Sequence, residues 1–320
     1  MPATIDPHVL PPASKTTLVL DVAPLTLGAT LQLPVLIARG RQSGPVIVVL
    51  GGVHGDEYEG MAAVREVYRT LDPWEMRGTF IGVPVCNPPA FAEKSRTNPI
   101  DGLNLARVFP GQADGTISQQ IAHVLTTAIL THADFLIDLH SSGSYMAMAH
   151  LIGYFKGEGE QARISREAAL RFGIPLVWGH ESVAPGRSLS PVHERGIPWL
   201  YTECPSGGWL HEKYARSYAD GVRNVMRYLA ILPGTADPLS DFEEIIGEGD
   251  TDKSLTAPVA GFLRPLVELH APVRRGQVLG VIEDLAGATL AEITAPSSGM
   301  LILRRNTPSV VAGDLAFLLT

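Results

Sequence analysis

The chain has 320 residues, of which 45% are hydrophobic and 18% charged, and its formal net charge is −8. This composition excludes a disordered or coiled-coil protein, because it supplies enough apolar residues for a large buried core. The negative charge argues against nucleic acid or an anionic membrane surface as the main partner.

The first 235 residues alternate between strand and helix patterns. Two β-rich runs, at 16–22 and 30–38, predict an antiparallel pair at a sheet edge, within an edge segment spanning 16–39. The other predicted elements are strands at 45–53, 79–85, 134–139, 174–178 and 197–202, helices at 58–71, 116–131, 161–172, 189–195 and 210–232, and a long irregular stretch at 87–115. This alternation predicts an α/β domain at 1–235, with a mostly parallel sheet flanked by helices.

The pattern changes after this domain. Residues 236–252 are rich in Pro, Gly, Asp and Glu and are predicted to be a linker. Residues 253–320 contain short β runs, and TAPVAG at 256–261 is similar to TAPSSG at 294–299. Such repetition predicts a smaller all-β domain with internal pseudo-symmetry, similar to the barrel-sandwich fold of biotinyl and lipoyl carrier domains.

His54 and Glu57 lie in the segment GGVHGDEYEG, directly after a predicted buried strand. The two residues between them allow both side chains to face one ion from a tight turn or a first helical turn. Imidazole and carboxylate groups are suitable zinc ligands. The alternative is structural: a histidine bonded to a loop carbonyl and a glutamate stabilised by a helix N-terminus.

His140, in DLHSSG, ends another apolar strand run and is the candidate third ligand. The carboxyl ends of parallel strands share one edge of a sheet, so His140 and His54 are expected to meet. Asp138 lies two residues earlier on the same strand face and can orient the imidazole. The alternative is a histidine that only caps a strand end. Two histidines and one carboxylate leave an open position for water on zinc.

Three further residues carry possible catalytic chemistry. Glu203, in TECPSGG, follows a third strand and can act as a general base, or only as a carboxylate at a helix N-terminus. Arg96 and Arg107 lie in the irregular segment SRTNPIDGLNLARVFPG. Long irregular segments are uncommon unless they are functional, so these arginines could polarise a carbonyl and bind a carboxylate. The alternative is surface arginines that order the loop.

The motifs HGDE, RTNPIDGLNLARVFPG, DLHSSG and TECPSGG, in this order, resemble the succinylglutamate desuccinylase/aspartoacylase family, which belongs with the zinc carboxypeptidases. The resemblance covers roughly residues 45–232, and the C-terminal β domain also matches the family architecture. It implies a zinc-carboxypeptidase-like fold and one zinc ion per chain. The site residues that it implies are His54, Glu57 and His140 for zinc, Arg96 for carbonyl polarisation, Arg107 for the substrate carboxylate and Glu203 for general acid/base catalysis.

One position departs from the family pattern. The family commonly has Asn-Arg where this chain has Ala106-Arg107, and an alanine side chain cannot hydrogen-bond a carboxylate. Asn104, two residues earlier, is kept as a candidate substrate-binding residue. The departure predicts a substrate that presents a different group there or binds with less help.

The resemblance implies a zinc-dependent amidohydrolase that cleaves the linear amide of a small N-acylated amino acid or related amine. The variant PIDGLNLARVFPG is similar to the bacterial N-acetyl-diaminobutyrate deacetylase branch. One alternative is a zinc carboxypeptidase that acts on short peptides. A C-terminal domain placed over the cleft would exclude long peptide substrates. Another is a non-catalytic small-molecule-binding relative, against which the presence of Glu203 and all three ligands argues.

The sequence also predicts the location and the binding partners of the protein. No apolar run approaches the ~20 residues that span a bilayer, and the N-terminus lacks the basic and apolar segments of a signal peptide. We expect a cytoplasmic protein that binds neither nucleic acid nor membrane and acts on a small substrate. The oligomeric state, including a homo-oligomer, is left open.

Overall fold

A computed structural model describes residue 6 and residues 9–25, 28–247 and 249–320. None of the helices in these residues is long and apolar enough to cross a membrane. The larger domain contains, in chain order, β1 (Ser14–Pro24), β2 (Thr30–Arg39), β3 (Gln42–Gly51), α1 (Tyr58–Thr70), β4 (Arg77–Val83), α2 (Pro88–Glu93), α3 (Ile117–Val124), β5 (Phe135–Leu139), β6 (Met146–Met148), β7 (Leu151–Phe155), α4 (Gly159–Phe172), β8 (Leu176–His180), α5 (Ser190–His193), β9 (Trp199–Glu203) and α6 (Glu212–Tyr228).

The remaining strands lie in the last part of the chain. They are β10 (Glu243–Ile246), β11 (Leu255–Thr256), β12 (Gly261–Pro265), β13 (Pro272–Val273), β14 (Val278–Glu283), β15 (Thr289–Thr294), β16 (Gly299–Arg305), β17 (Ser309–Val310) and β18 (Leu315–Leu319).

A nine-stranded sheet forms the centre of the larger domain, with the order β1-β2-β4-β3-β5-β9-β7-β8-β10. β1 and β2 form the predicted antiparallel pair at one edge. The central strands β4, β3, β5 and β9 are parallel to one another. The fold is therefore the predicted mixed α/β architecture with a mostly parallel sheet.

Helices cover both faces of this sheet, which explains why its central strands are mainly apolar. On one face, α1, α4 and α6 contribute side chains such as Val64, Ala168 and Val222 to one buried cluster. On the other face, α3 contributes Ile121 to a second cluster. Strands buried on both faces need mainly apolar residues, as β3 has from Val46 to Gly51 and β5 has at every position except Asp138.

Three regions of the chain differ from the sequence-based prediction. The stretch 87–115 contains α2 and a 3-10 turn at Leu105–Arg107, and the short strands β6 and β7 follow His140. The predicted linker at 236–252 contains β10, which pairs in parallel with β8 as the last strand of the large sheet. An edge strand is held mainly by backbone hydrogen bonds, so this largely exposed Glu-Glu-Ile-Ile segment carries no apolar signature.

The C-terminal strands form two antiparallel sheets, one with the order β15-β14-β12-β17 and the other with the order β11-β18-β16-β13. β6 of the larger domain joins the second sheet by pairing with β16. An apolar cluster spans the same junction and contains Met148, Ala149, Leu151, Leu176, Trp178, Ile302, Leu303 and Leu318. The smaller domain is thus anchored to the segment that follows His140.

Candidate active site

Three candidate residues lie at one edge of the large sheet. His54 follows β3, His140 follows β5 and Glu203 ends β9. These strands are parallel neighbours, so their carboxyl ends lie side by side. The structure therefore brings together three side chains that are far apart in the sequence.

The loop between β3 and α1 places Glu57 beside His54. A Cβ atom at Gly55 would lie 2.0 Å from the carbonyl carbon of Ala90 in α2, so only glycine fits at this close approach. The backbone N–H of Gly55 also donates to the carbonyl of Ser95, at 2.9 Å. Packing against α2 thus fixes the position of the loop and of both candidate ligands.

His54, Glu57 and His140 form a group that could hold one metal ion. The carboxylate of Glu57 lies between the histidines, with Oε1 2.7 Å from His54 Nδ1 and Oε2 2.9 Å from His140 Nδ1. One potential ligand atom from each residue lies within 4.8 Å of the others. The backbone N–H of Ser141 donates to Glu57 Oε2 at 3.2 Å and helps to hold the carboxylate in place.

The second ring nitrogen of each histidine is also bound. His54 Nε2 lies 3.0 Å from the side-chain oxygen of Asn104, and His140 Nε2 lies 3.0 Å from Asp138 Oδ2. Ser188 donates a hydrogen bond to the same Asp138 oxygen. Both rings therefore have Nδ1 toward Glu57, while Nε2 is held by a second side chain. Histidine ligands of metal ions usually have their second ring nitrogen bound in this way.

The charges in this group shift the titration of its members. Burial, aided by the charge of Arg96, lowers the pKa of His54. Burial also opposes protonation of His140, but the carboxylates of Asp138 and Glu57 outweigh it and raise the pKa of His140 well above its usual value. Burial opposes ionisation of Glu57, but the two histidines hold its pKa well below the usual range.

Glu203 occupies a different environment. Its Oε2 atom is buried and has no hydrogen-bond partner among the described residues. Burial and the negative charge of Glu57 raise the pKa of Glu203 to about 8. A carboxyl group with such a pKa can accept and release a proton near neutral pH, as a general base must.

The two predicted arginines have different partners. Arg96 Nη1 lies 3.0 Å from Glu57 Oε1, so Arg96 borders the candidate metal group. Arg107 instead binds Asp252, with distances of 2.9 Å from Nε to Oδ2 and 2.6 Å from Nη2 to Oδ1. The structure thus joins the irregular segment that carries Arg107 to the predicted linker.

Two adjoining cavities open at this site, with volumes of about 120 and 430 Å³. Arg96, Arg107 and Glu203 border both of them. Small-molecule sites usually have volumes of about 300–1,000 Å³, so together these cavities suit a small substrate.

Comparison with known proteins identifies the family. Residues 43–229, more than half of the chain, match the succinylglutamate desuccinylase/aspartoacylase catalytic domain. The chain belongs to this family. The N-alpha-acetyl-L-2,4-diaminobutyric acid deacetylase of Halomonas elongata is 30% identical over 292 residues, which cover 89% of this chain and 84% of that protein.

Solved structures of similar proteins share the fold over nearly the whole chain. The product-bound ectoine utilization protein EutE (DoeB) from Ruegeria pomeroyi is 27% identical, with a TM-score of 0.87 and coverage of 97% of both chains. A succinylglutamate desuccinylase from Silicibacter sp. TM1040 is also 27% identical, with a TM-score of 0.86 and coverage of 97% of this chain and 96% of that chain. The similarity therefore includes the C-terminal β domain.

The sequence analysis missed three residues that lie at the site. Arg187 lies in PGRSLS, between β8 and α5, and borders the smaller cavity. An arginine in such an irregular segment is the signal that singled out Arg96, so the same reasoning applies to Arg187. Asp250 and Asp252 lie in an acidic segment with no apolar pattern, where nothing local indicates contact with the site.

Proposed function

We propose that the chain is a zinc-dependent deacylase that hydrolyses the amide bond of a small N-acylated amino acid. N-alpha-acetyl-L-2,4-diaminobutyrate is the first candidate substrate, because the Halomonas elongata relative is a deacetylase of that compound. The observation that carries the proposal is the buried Oε2 atom of Glu203, which has no hydrogen-bond partner in the described part of the chain and lies at a cavity that His54 and His140 also border.

The donor set supports zinc as the metal. Two imidazole nitrogens and a carboxylate oxygen are common zinc ligands, whereas Mg²⁺ and Ca²⁺ prefer oxygen ligands alone. Asn104 and Asp138 leave Nδ1 of each histidine directed toward Glu57, so ligand orientation does not depend on the ion. A zinc ion bound by His54, Glu57 and His140 would polarise the substrate carbonyl and lower the pKa of water.

The protein side chains supply the remaining steps. Glu203 accepts the proton of the attacking water while the water oxygen bonds to the carbonyl carbon, and later delivers that proton to the amide nitrogen, so that the C–N bond breaks with release of a neutral amine rather than an amide anion. The guanidinium of Arg96 stabilises the negative charge that develops on the carbonyl oxygen. Arg107 binds the carboxylate of the amino-acid portion.

Amine release by zinc-loaded and chelator-stripped protein tests this function. The substrates are N-alpha-acetyl-L-2,4-diaminobutyrate, N-succinylglutamate, N-acetylaspartate and a dipeptide. We expect hydrolysis of an N-acyl amino acid by the loaded protein, no activity after stripping, and recovery on addition of zinc. Turnover of the dipeptide alone would instead support a carboxypeptidase, and no turnover of any of the four compounds would contradict the proposed deacylase function.

Metal content tests the ligand assignment separately. His140→Ala should lose most of the bound zinc and keep its fold, because burial of the central strands organises the domain. His123→Ala, a change in α3 away from the site, is the matched control and should keep one zinc per chain. Full zinc occupancy in His140→Ala would contradict the assignment.

A further inference from the structure

Arg107 is already occupied by groups of the protein itself. Its Nε and Nη2 atoms bind the Asp252 carboxylate on two prongs, Nη2 also donates to Thr251 Oγ1 at 3.2 Å, and Nη1 donates to the Ala106 carbonyl at 3.0 Å. A guanidinium offers five N–H donors, and these contacts use four of them. A substrate carboxylate can therefore form two hydrogen bonds with Arg107 only if Asp252 moves away.

A second pair of charges completes the cluster. Arg187 Nη2 lies 2.8 Å from Asp250 Oδ1 and 3.4 Å from Asp252 Oδ2, while its Nη1 donates to the carbonyl of Ala106 at 3.1 Å. Two arginines and two aspartates thus balance in charge. The cluster borders the cavities that also contain Glu203, so any change in its charge acts on a bound substrate.

Binding of a substrate carboxylate would change the charge balance of this cluster. A substrate carboxylate that replaces Asp252 on Arg107 leaves the Asp252 carboxylate without its main partner and adds a negative charge to the cluster. An ammonium group on the same substrate would pair with the released carboxylate and restore neutrality. A second substrate carboxylate would instead lie near two aspartates, and like charges at such distances repel each other.

We propose that Asp252, supported by Asp250, is a specificity-determining residue that selects N-acylated amino acids carrying an ammonium group in addition to the carboxylate. This inference rests on the proposed deacylase function and specifies its substrate class: N-acyl diamino acids are preferred over N-acyl derivatives of neutral or acidic amino acids. The carboxylate of the substrate replaces Asp252 on Arg107, and the ammonium group binds the aspartates.

Substrates that differ only in side-chain charge test the inference. They are N-alpha-acetyl-L-2,4-diaminobutyrate, N-acetyl-2-aminobutyrate, which has the same carbon skeleton without the ammonium group, and N-acetylaspartate. The wild type should show the highest kcat/KM for the diamino compound. Asp252→Asn should reduce its preference over the neutral compound about tenfold, as expected for loss of a charge-assisted hydrogen bond, and should improve the relative use of N-acetylaspartate.

Matched variants separate the local effect from a change in net charge. Asp250→Asn keeps a side chain that can accept from the backbone N–H of Asp252, as Asp250 does at 3.1 Å, and should shift the preference in the same direction. Asp237→Asn makes the same charge change at an exposed position in the same segment and should leave the preference unchanged. An unchanged preference in both Asp252→Asn and Asp250→Asn would overturn the inference, as would a wild-type preference for N-acetylaspartate.

Binding provides a test that does not require turnover. The three compounds can be titrated into zinc-loaded Glu203→Gln, with and without Asp252→Asn, by calorimetry. Selective binding of the diamino compound that depends on Asp252 supports the inference even if the wild type hydrolyses nothing, in which case only the deacylase function fails. Equal binding of the diamino and neutral compounds overturns the inference even if the wild type is an active deacylase.

Discussion

The Nε2 atom of His54 lies 3.0 Å from the side-chain oxygen of Asn104. The same oxygen accepts a hydrogen bond from the backbone N–H of Ala106, at 2.9 Å, which identifies it as an acceptor. His54 must therefore donate from Nε2, and its neutral tautomer carries the free electron pair on Nδ1, toward Glu57. Asn104, predicted from the sequence as a substrate-binding residue, thus contacts a candidate metal ligand.

Replacement of Asn104 by alanine should weaken metal binding. Loss of a group that orients a histidine ligand typically lowers metal affinity about 10- to 100-fold. Competition with a chromophoric chelator measures this change, and Asn224→Ala in α6 serves as the control with unchanged affinity. If Asn104 acts only on the substrate, Asn104→Ala will instead raise KM and leave metal affinity as in the wild type.

Replacement of Glu203 by glutamine should retain zinc and lose activity. Glutamine preserves the size of the side chain but cannot accept the proton, so kcat should fall by ~10²–10⁴-fold. Glu194→Gln, at an exposed position after α5, should have wild-type kcat. Near-normal turnover by zinc-loaded Glu203→Gln would mean that another group handles the proton.

The raised pKa of Glu203 predicts a pH-dependent stability of the metal-free protein. This carboxyl group titrates with a pKa of about 8 in the folded chain, against an ordinary value of 4.5. The unfolded chain therefore ionises first, and the free energy of unfolding falls as pH rises from about 4.5 to about 8.

Glu203→Gln removes this contribution. The difference in the free energy of unfolding between the variant and the wild type therefore reports on Glu203 and not on other titrating groups such as His140. The stability of the variant relative to the wild type should increase with pH through this window, by at most about 1.4 kcal/mol per pH unit. Urea unfolding of both proteins at pH 5 and pH 8.5, with a chelator present, measures the difference. A constant difference between the two proteins would show that Glu203 keeps an ordinary pKa.

The junction between the two domains should contribute strongly to stability. Ile302 is fully buried in the apolar cluster that also contains Trp178 and Met148 of the larger domain. Ile302→Ala should lower the free energy of unfolding by about 2–5 kcal/mol, the usual cost of such a cavity. Leu285→Ala, whose side chain is 99% exposed, should have little effect on the urea midpoint. Equal midpoints for the two variants would show that the junction contributes little.

Local sequence patterns were enough to predict the α/β fold and the positions of His54, His140 and Glu203 in it. Apolar runs long enough for buried strands end just before His54 and His140 and at Glu203, and this local pattern places each at a strand's carboxyl end. Strand alternation with helices implies parallel pairing, which brings those ends to one edge. These inferences use only residues that are close in the sequence, so apolar runs and their periodicity were sufficient.

The contacts between the irregular segments could not be predicted from local sequence patterns. Arg107 and Asp252 are 145 residues apart, and neither lies in a segment with helical or strand periodicity that would restrict its position. β10 is an exposed acidic edge strand whose pairing relies on the backbone, so its composition resembles that of a linker. The contact between Asn104 and His54 likewise depends on the path of a loop. Contacts of this kind arise from the packing of the whole chain, which local patterns do not specify.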